Sequence, residues 1–200
     1  MNREEPIVAG EVYHVYNRGN RNQVVFREAR DYLHALRKLR QAIERYGVEL
    51  VAYCLMPNHY HLLARPLTDK GLSEAMRAWV TSVSKTANKK YGLVGHMFQD
   101  KFKAKRVASP DYVVHVARYI HLNPVAAGLA ARAEDWPYSS YPDTVGLRAG
   151  NLPAVESLLW AFQIGGGELD LAKGRRRYLE FVAAYETGDE GLVRKYLFPE

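Results

Sequence analysis

The stretch VELVAYCLMPNHYHLLARP constrains the fold more than any other part of the chain. Val48–Met56 reads as one strand, Pro57-Asn58 turns the chain, and residues 59–65 read as the next strand. The second strand is otherwise apolar, yet it carries His59 and His61 around Tyr60. Side chains alternate faces along an extended chain, so the two histidines point one way and Tyr60 the other. At about 3.3 Å per residue, the imidazoles stand roughly 7 Å apart along the strand, close enough to converge on one metal ion or one phosphate. A pair of satisfied core histidines at a strand end fits the same pattern.

The flanking segments supply an order of elements. Residues 11–19, EVYHVYNRG, alternate polar with aromatic or β-branched side chains and stop at Asn-Arg-Gly, a strand running into a turn. Residues 24–46 place Phe26, Tyr32, Leu33, Leu36, Leu39 and Ile43 at helical spacing, and Gly47 follows where a helix C-terminal residue belongs. Residues 71–91 form a second helix through Leu72, Ala75, Met76, Trp79, Val80 and Val83, closed by Gly92. Residues 97–107, MFQDKFKAKRV, suggest a fourth, strongly basic strand or hairpin. Ser109-Pro110-Asp111 has the form of an N-cap followed by proline at the first helical position. The helix it opens is expected to reach about Leu122 and to break near Asn123-Pro124.

The order β-α-β-β-α-β, followed by an extra helix, predicts an α+β fold of the ferredoxin-like split type: an antiparallel sheet with two helices on one face. WPYSSYPD, from Trp136, reads as a loop rich in turn residues. Beyond it, residues 153–163, 169–185 and 192–197 are apolar, weakly helical segments, with Gly165-Gly166-Gly167 between the first two. A net charge of +6 favours an anionic partner, nucleic acid first. Hydrophobic residues make up 48% of the 200, which supports a real core and excludes disorder throughout. No segment reaches the roughly 18 to 20 apolar residues of a membrane span. The first ten residues carry no signal-peptide core, so the expected location is cytoplasmic. Cys54 is the only cysteine, which leaves no intrachain disulfide and no cysteine-based zinc site; it is expected to pack as a small hydrophobe.

A second signal lies in DYVVHVARYIHLNPV. Positions four apart share a helical face, so His115, Tyr119 and Asn123 form one polar stripe. A tyrosine in such a helix is more often a core residue with its hydroxyl at the rim. Beside the histidine pair, however, the stripe acquires a chemistry. A tyrosine nucleophile needs a polarised electrophile, a metal held by two histidines provides one for a phosphodiester, and Asn123 can add an oxygen ligand. Lys85, Lys89, Lys90, Lys101, Lys103, Lys105 and Arg106, interleaved with Tyr91, Phe98 and Phe102, offer phosphate affinity and ring faces for unpaired bases. A solvated charged face is the plainer account of that stretch.

MPNHYHLL resembles the HUH motif (histidine, bulky hydrophobic, histidine), and RYIHLNPVAAGL resembles the tyrosine segment of the single-tyrosine HUH transposases. With YHVYNRGNRNQVVF and WPYSSY, these blocks resemble the REP-associated tyrosine transposases over residues 10–141. The resemblance implies an HUH transposase-like catalytic domain over residues 1–145 and leaves 146–200 as a small helical C-terminal extension. It implies that His59 and His61 bind a divalent ion, magnesium or manganese, and that Asn123 stands in the place of a polar third ligand, often glutamine. Tyr119 would be the nucleophile, cleaving single-stranded DNA through a 5′-phosphotyrosine bond and rejoining strands without ATP. His115, one turn before Tyr119, is a candidate base without being a family signature. His121 points off the Tyr119 face and reads as structural, while His14 and His96 carry no argument.

Members of the resembled family recognise hairpins of repetitive extragenic palindromes with an adjacent single-stranded tetranucleotide. Asn17, Arg18, Asn20 and Arg21, in the turn after the first strand, are candidates for base or phosphate contacts, or a polar turn chosen for backbone geometry. Lys173, Arg175, Arg176 and Arg177 could grip a hairpin stem or form one exposed helix side. Two other functions fit parts of the pattern. A non-catalytic nucleic-acid-binding module would explain the charge and leave the His59, His61, Tyr119 and Asn123 arrangement as coincidence. An HUH replication or mobilisation initiator would use the same site, but usually with a helicase or further domain. Monomer and homodimer, with the tyrosine in cis or in trans, both remain open at this stage.

Overall fold

The computed structural model describes residues 6–107, 109–160 and 170–185. Its centre is a four-stranded antiparallel sheet in the order β2-β3-β1-β4. The strands are β1 (Tyr13–Arg18), β2 (Val48–Met56), β3 (His59–Pro66) and β4 (Lys103–Arg106). Helix α1 (Ala29–Tyr46) joins β1 to β2, and α2 (Gly71–Tyr91) joins β3 to β4, which is the ferredoxin-like arrangement. Gly47 and Gly92 end these helices with φ of 62° each, a left-handed conformation that glycine adopts without a Cβ penalty. Both helices pack on one face of the sheet, where Leu39, Met76 and Trp79 meet Val15, Leu55 and Tyr60.

The opposite face is covered by α3 (Pro110–Ala126), α5 (Val155–Leu159) and α6 (Leu171–Ala183). A bulge at Val51 makes this two-sided burial possible. The register slips between Leu50 and Ala52, so Leu50 and Tyr53 both face α1 and α2 while Val51, Ala52 and Cys54 face α3. Cys54 is fully buried and unoxidised, as a small hydrophobe should be.

Four boundaries differ from the sequence reading. Helix α1 starts at Ala29 rather than Val24, because Val25 and Phe26 donate their backbone N–H groups to Pro57 O and a Glu28–Asp31 capping box opens the helix. Leu33 is 61% exposed, outside the core stripe. Strand β4 is confined to Lys103–Arg106; Met97 and Phe98 are buried and make only an isolated antiparallel bridge, Phe98 to Gly19, separate from that ladder. Helix α3 begins at the expected Ser109 cap, whose Oγ accepts from Tyr112 N, but it runs through Pro124 to Ala126. The proline sits in the last turn, where the missing N–H costs one bond and the helix is about to end.

WPYSSYPD is the fourth difference: residues 136–140 are turns, as expected, but residues 141–143 are helical and the segment packs along the sheet. Leu55 N donates to Tyr138 O, Ser140 N donates to Tyr53 O, and Tyr53 N donates to Ser140 Oγ, so the segment lies along the outer edge of β2. It satisfies backbone groups that an edge strand would otherwise expose. Its last three residues open a short helix, α4 (Tyr141–Thr144), buried throughout. Residues 192–197 and Gly165-Gly166-Gly167 lie outside the described residues. No helix among the described residues is long and apolar enough to cross a membrane.

The sheet, α3 and α6 meet at His121. Its Nδ1 is 2.6 Å from the Tyr178 hydroxyl of α6, and its Nε2 is 2.7 Å from Ser140 Oγ at the β2 edge. Tyr178→Phe removes one partner of a buried imidazole nitrogen. It is expected to cost about 1–3 kcal/mol of stability in urea unfolding, with little change in far-UV dichroism.

Candidate active site

Directly opposed residues of paired strands share a face, so the strand registers lay three rows across the α3 side of the sheet. Met56, His59 and Arg18 form the first; Cys54, His61, Tyr16 and Lys103 the second; Ala52, Leu63, His14 and Lys105 the third. Polarity rises along each row from β2, buried under α3, toward β1 and β4.

His59 and His61 share this face with ring centroids 5.0 Å apart, and Tyr60 packs on the other face against Trp79 and Phe98. His59 Nδ1 lies 2.7 Å from Asn58 Oδ1, and His61 Nδ1 lies 2.9 Å from His14 Nε2. Burial lowers the pKa of His59 to about 4; the nearby Arg18 charge acts in the same direction and a hydrogen bond with Asn123 opposes it. Burial, reinforced by the neighbouring histidines, holds His61 well below its ordinary value. Both imidazoles are therefore neutral near pH 7, the form that ligates metals.

These residues fit a divalent ion. Each imidazole has its Nδ1 tied to a fixed partner, the arrangement that orients ligating histidines. Asn123 donates its amide N–H to Tyr119 O at 2.8 Å and hydrogen-bonds His59, so its side-chain amide stands beside the imidazole pair. Among the described residues no three His, Cys, Asp or Glu side chains gather as a metal cage, so the candidate set is two imidazoles and one amide oxygen.

Tyr119 comes from α3 of the same chain, half-buried, its ring edge-on to His61 at 5.6 Å and to His14 at 6.2 Å. Within one copy of the chain, Tyr119 thus stands against the histidine pair. His115, the other end of the stripe, sits with Nδ1 3.5 Å from the Arg118 guanidinium and its ring edge on Phe181 of α6. Two residues that sequence reasoning passed over stand in the site. His14 is fully buried beside both His61 and Tyr119, and Tyr16 stacks on His14 at 5.0 Å with its phenol pKa raised by burial and by Tyr119. The alternation in YHVYN puts His14 and Tyr16 on one face, but only the adjacency of β1 and β3 brings that face to His61.

The candidate DNA contacts are divided. Arg18 stands opposite His59, and Lys103 and Lys105 project from the same side of the sheet. Arg106 pairs with Tyr13 and so faces the α1 and α2 side, Lys101 is exposed just before β4, and Arg21 is exposed in a turn with φ of 51°. Lys85 and Lys89 lie on the exposed side of α2, across the sheet from the histidines. Lys90 is engaged with Glu28 at 2.7 Å and Asp31 at 2.5 Å. Asn17 corrects the sequence reading: strand alternation buries it, and its amide bonds Asp100 O and Arg18 N instead of facing solvent. Phe98 is likewise buried, and Tyr91 and Phe102 pack on the α1 and α2 core, so these rings are not free platforms for bases.

A histidine pair on a central strand of a ferredoxin-like sheet, faced by a helix-borne tyrosine, defines the single-tyrosine HUH class. The family profile described as Transposase IS200 like matches residues 8–123, and the chain belongs to this family of DNA-cleaving and strand-transferring enzymes, which generally use a divalent metal. Over 123 residues it is 29% identical to a Haemophilus influenzae protein described as a REP-associated tyrosine transposase, covering 56% of this chain and 69% of that one. A solved structure of a REP-associated tyrosine transposase bound to a REP hairpin has the same fold, with a TM-score of 0.59 at 22% identity over 76% of this chain and 92% of the other.

Burial lowers the pKa of His121 to about 3, and burial with the Lys105 charge lowers that of His14 to about 3, both from an ordinary 6.5. Folded, they stay neutral; unfolded, they take up protons below about pH 6.5, so stability falls as pH drops through the window from 6.5 toward 3. Urea unfolding of the metal-free protein is expected to show a loss approaching about 1.4 kcal/mol per pH unit for each histidine well below 6.5. Equal stability at about pH 7 and about pH 5.5 would contradict the neutral burial.

Proposed function

We propose that this chain is a metal-dependent single-stranded DNA endonuclease and strand transferase that acts on palindromic repeat hairpins, with Tyr119 as nucleophile. The observation that carries the reading is the approach of the Tyr119 ring to within 5.6 Å of His61, on the sheet face it shares with His59. His59, His61 and Asn123 would hold the ion. A bound magnesium or manganese ion supplies Lewis-acid polarisation of the scissile phosphate, and the two imidazoles suit manganese better. The Tyr119 oxygen attacks phosphorus in line, forming an O–P bond as the bond to the 3′-oxygen breaks. The phenol releases its proton, the departing oxygen takes one up as a 3′-hydroxyl, and the 5′-phosphate stays on Tyr119. Attack by another 3′-hydroxyl reverses these bonds and joins strands.

Arg18, Lys103 and Lys105 surround the site on its open side and would neutralise phosphates of the scissile strand. Lys85 and Lys89 would reach only a separate segment of DNA, with Arg21, Lys101 and Arg106 at the margins. The hairpin bound by the structural neighbour supports a hairpin substrate here. Residues 1–145 act as the catalytic domain, and 146–200 as an extension whose α6 braces α3 through Tyr178 and His121. A DNA substrate fits a cytoplasmic location.

Labelled single-stranded hairpins from repeats flanking the gene, incubated with manganese or EDTA and run on a denaturing gel, test the reading. The wild type is expected to form a metal-dependent protein–DNA adduct that Tyr119→Phe abolishes while hairpin binding persists. Hairpin binding with no adduct in any metal would establish the binding-module alternative. Lys103→Ala and Lys105→Ala are each expected to weaken hairpin binding across sequences and to lower the slope of log affinity against log salt by about 1.

A further inference from the structure

His14 is fully buried on β1, and its Nε2 lies 2.9 Å from Nδ1 of His61 with the two rings tilted by only 12°. That bond holds one proton. If the proton is on His61 Nδ1, His61 donates and its Nε2 carries a lone pair. If it is on His14 Nε2, neutral His61 must carry its own proton on Nε2, and no lone pair remains for a ligand. His14 is held in place: it is fully buried, β1 is registered against β3 through Val15↔Leu62 and Tyr16↔His61, and the Tyr119 ring lies against both imidazoles in T-shaped contacts. Asn58 already makes the equivalent bond for His59, with an oxygen that can only accept.

We propose that His14 is the positioning residue of His61: it accepts the Nδ1 proton, so that His61 is held as the tautomer with its Nε2 lone pair turned to the site and its ring fixed in that orientation. This rests on the reading of His59 and His61 as ligands and goes beyond it, since it assigns a third histidine that touches neither ion nor DNA. Each ligand histidine then has its own acceptor, the hairpin turn for His59 and β1 for His61.

The tautomer can be read directly from long-range ¹H–¹⁵N spectra of the metal-free, histidine-labelled protein. His61 is expected to show a protonated Nδ1 and an unprotonated Nε2; the reverse pattern overturns the inference. In His14→Gln the amide oxygen can still accept, and this variant is expected to keep the tautomer and to bind manganese within a few-fold of wild type in an EPR titration. His14→Leu is expected to lose manganese affinity by about 10–100-fold while its spectra remain those of a folded chain. Unchanged affinity in His14→Leu overturns the inference and leaves the proposed function standing. Tautomer and manganese binding as expected, but no DNA adduct in the wild type, would sink the proposed function and leave the role of His14 intact. Wild-type manganese binding indifferent to His61→Ala would overturn both.

Discussion

The antiparallel pairing of β1 with β3 is the constraint on which the candidate site depends. It places Tyr16 opposite His61 and Arg18 opposite His59, and it brings His14 within hydrogen-bond reach of His61. Sliding that register by one residue would turn every side chain of β1 to the other face, carrying Arg18 toward the α1 and α2 core and taking Val15 out of it. The hydrophobic half of the strand therefore enforces the placement of the polar half. Tyr13 and Val15 belong to the α1 and α2 core, so His14 between them has no choice but to face α3.

Covering the sheet on both sides gives that arrangement its chemistry. A histidine on an open sheet face would titrate near its ordinary value, whereas His14 and His61 lie beneath a helix layer that removes water. The layer stays in place because α3 is held at several points: by the Ser109 cap, by its apolar contacts with β2, and by the chain of contacts from Tyr178 through His121 to Ser140. Trp136 to Tyr141, which carries no reactive group of the site, contributes by closing the β2 edge and positioning Ser140. The bulge at Val51 serves the same end, since it lets one strand present apolar residues to both layers.

Much of this was legible in the sequence. Strand alternation put His59 and His61 together and Tyr60 apart from them, glycines marked the ends of α1 and α2, and the order of elements led to the sheet topology. What escaped had identifiable causes. The start of α1 and the role of WPYSSYPD depend on bonds to residues distant in sequence, Pro57 in one case and Tyr53 and Leu55 in the other. Asn17, Phe98 and Phe102 have the composition of a nucleic-acid-binding surface, but burial and bonding commit them to the core. His14 drew no attention because a lone histidine in a strand has no distinguishing pattern.

The sequence by itself determined which side chains share a face, because the two-residue period of a strand and the 3.6-residue period of a helix are local properties of the backbone. Those periods suffice to pair His59 with His61 and Tyr119 with Asn123. Only the tertiary structure decided which faces meet. His14 and His61 are 47 residues apart in sequence, and His121 and Tyr178 are 57 apart. Their contact follows from strand order and from the packing of helix layers, which depend on burying apolar surface over the whole domain rather than on any local period.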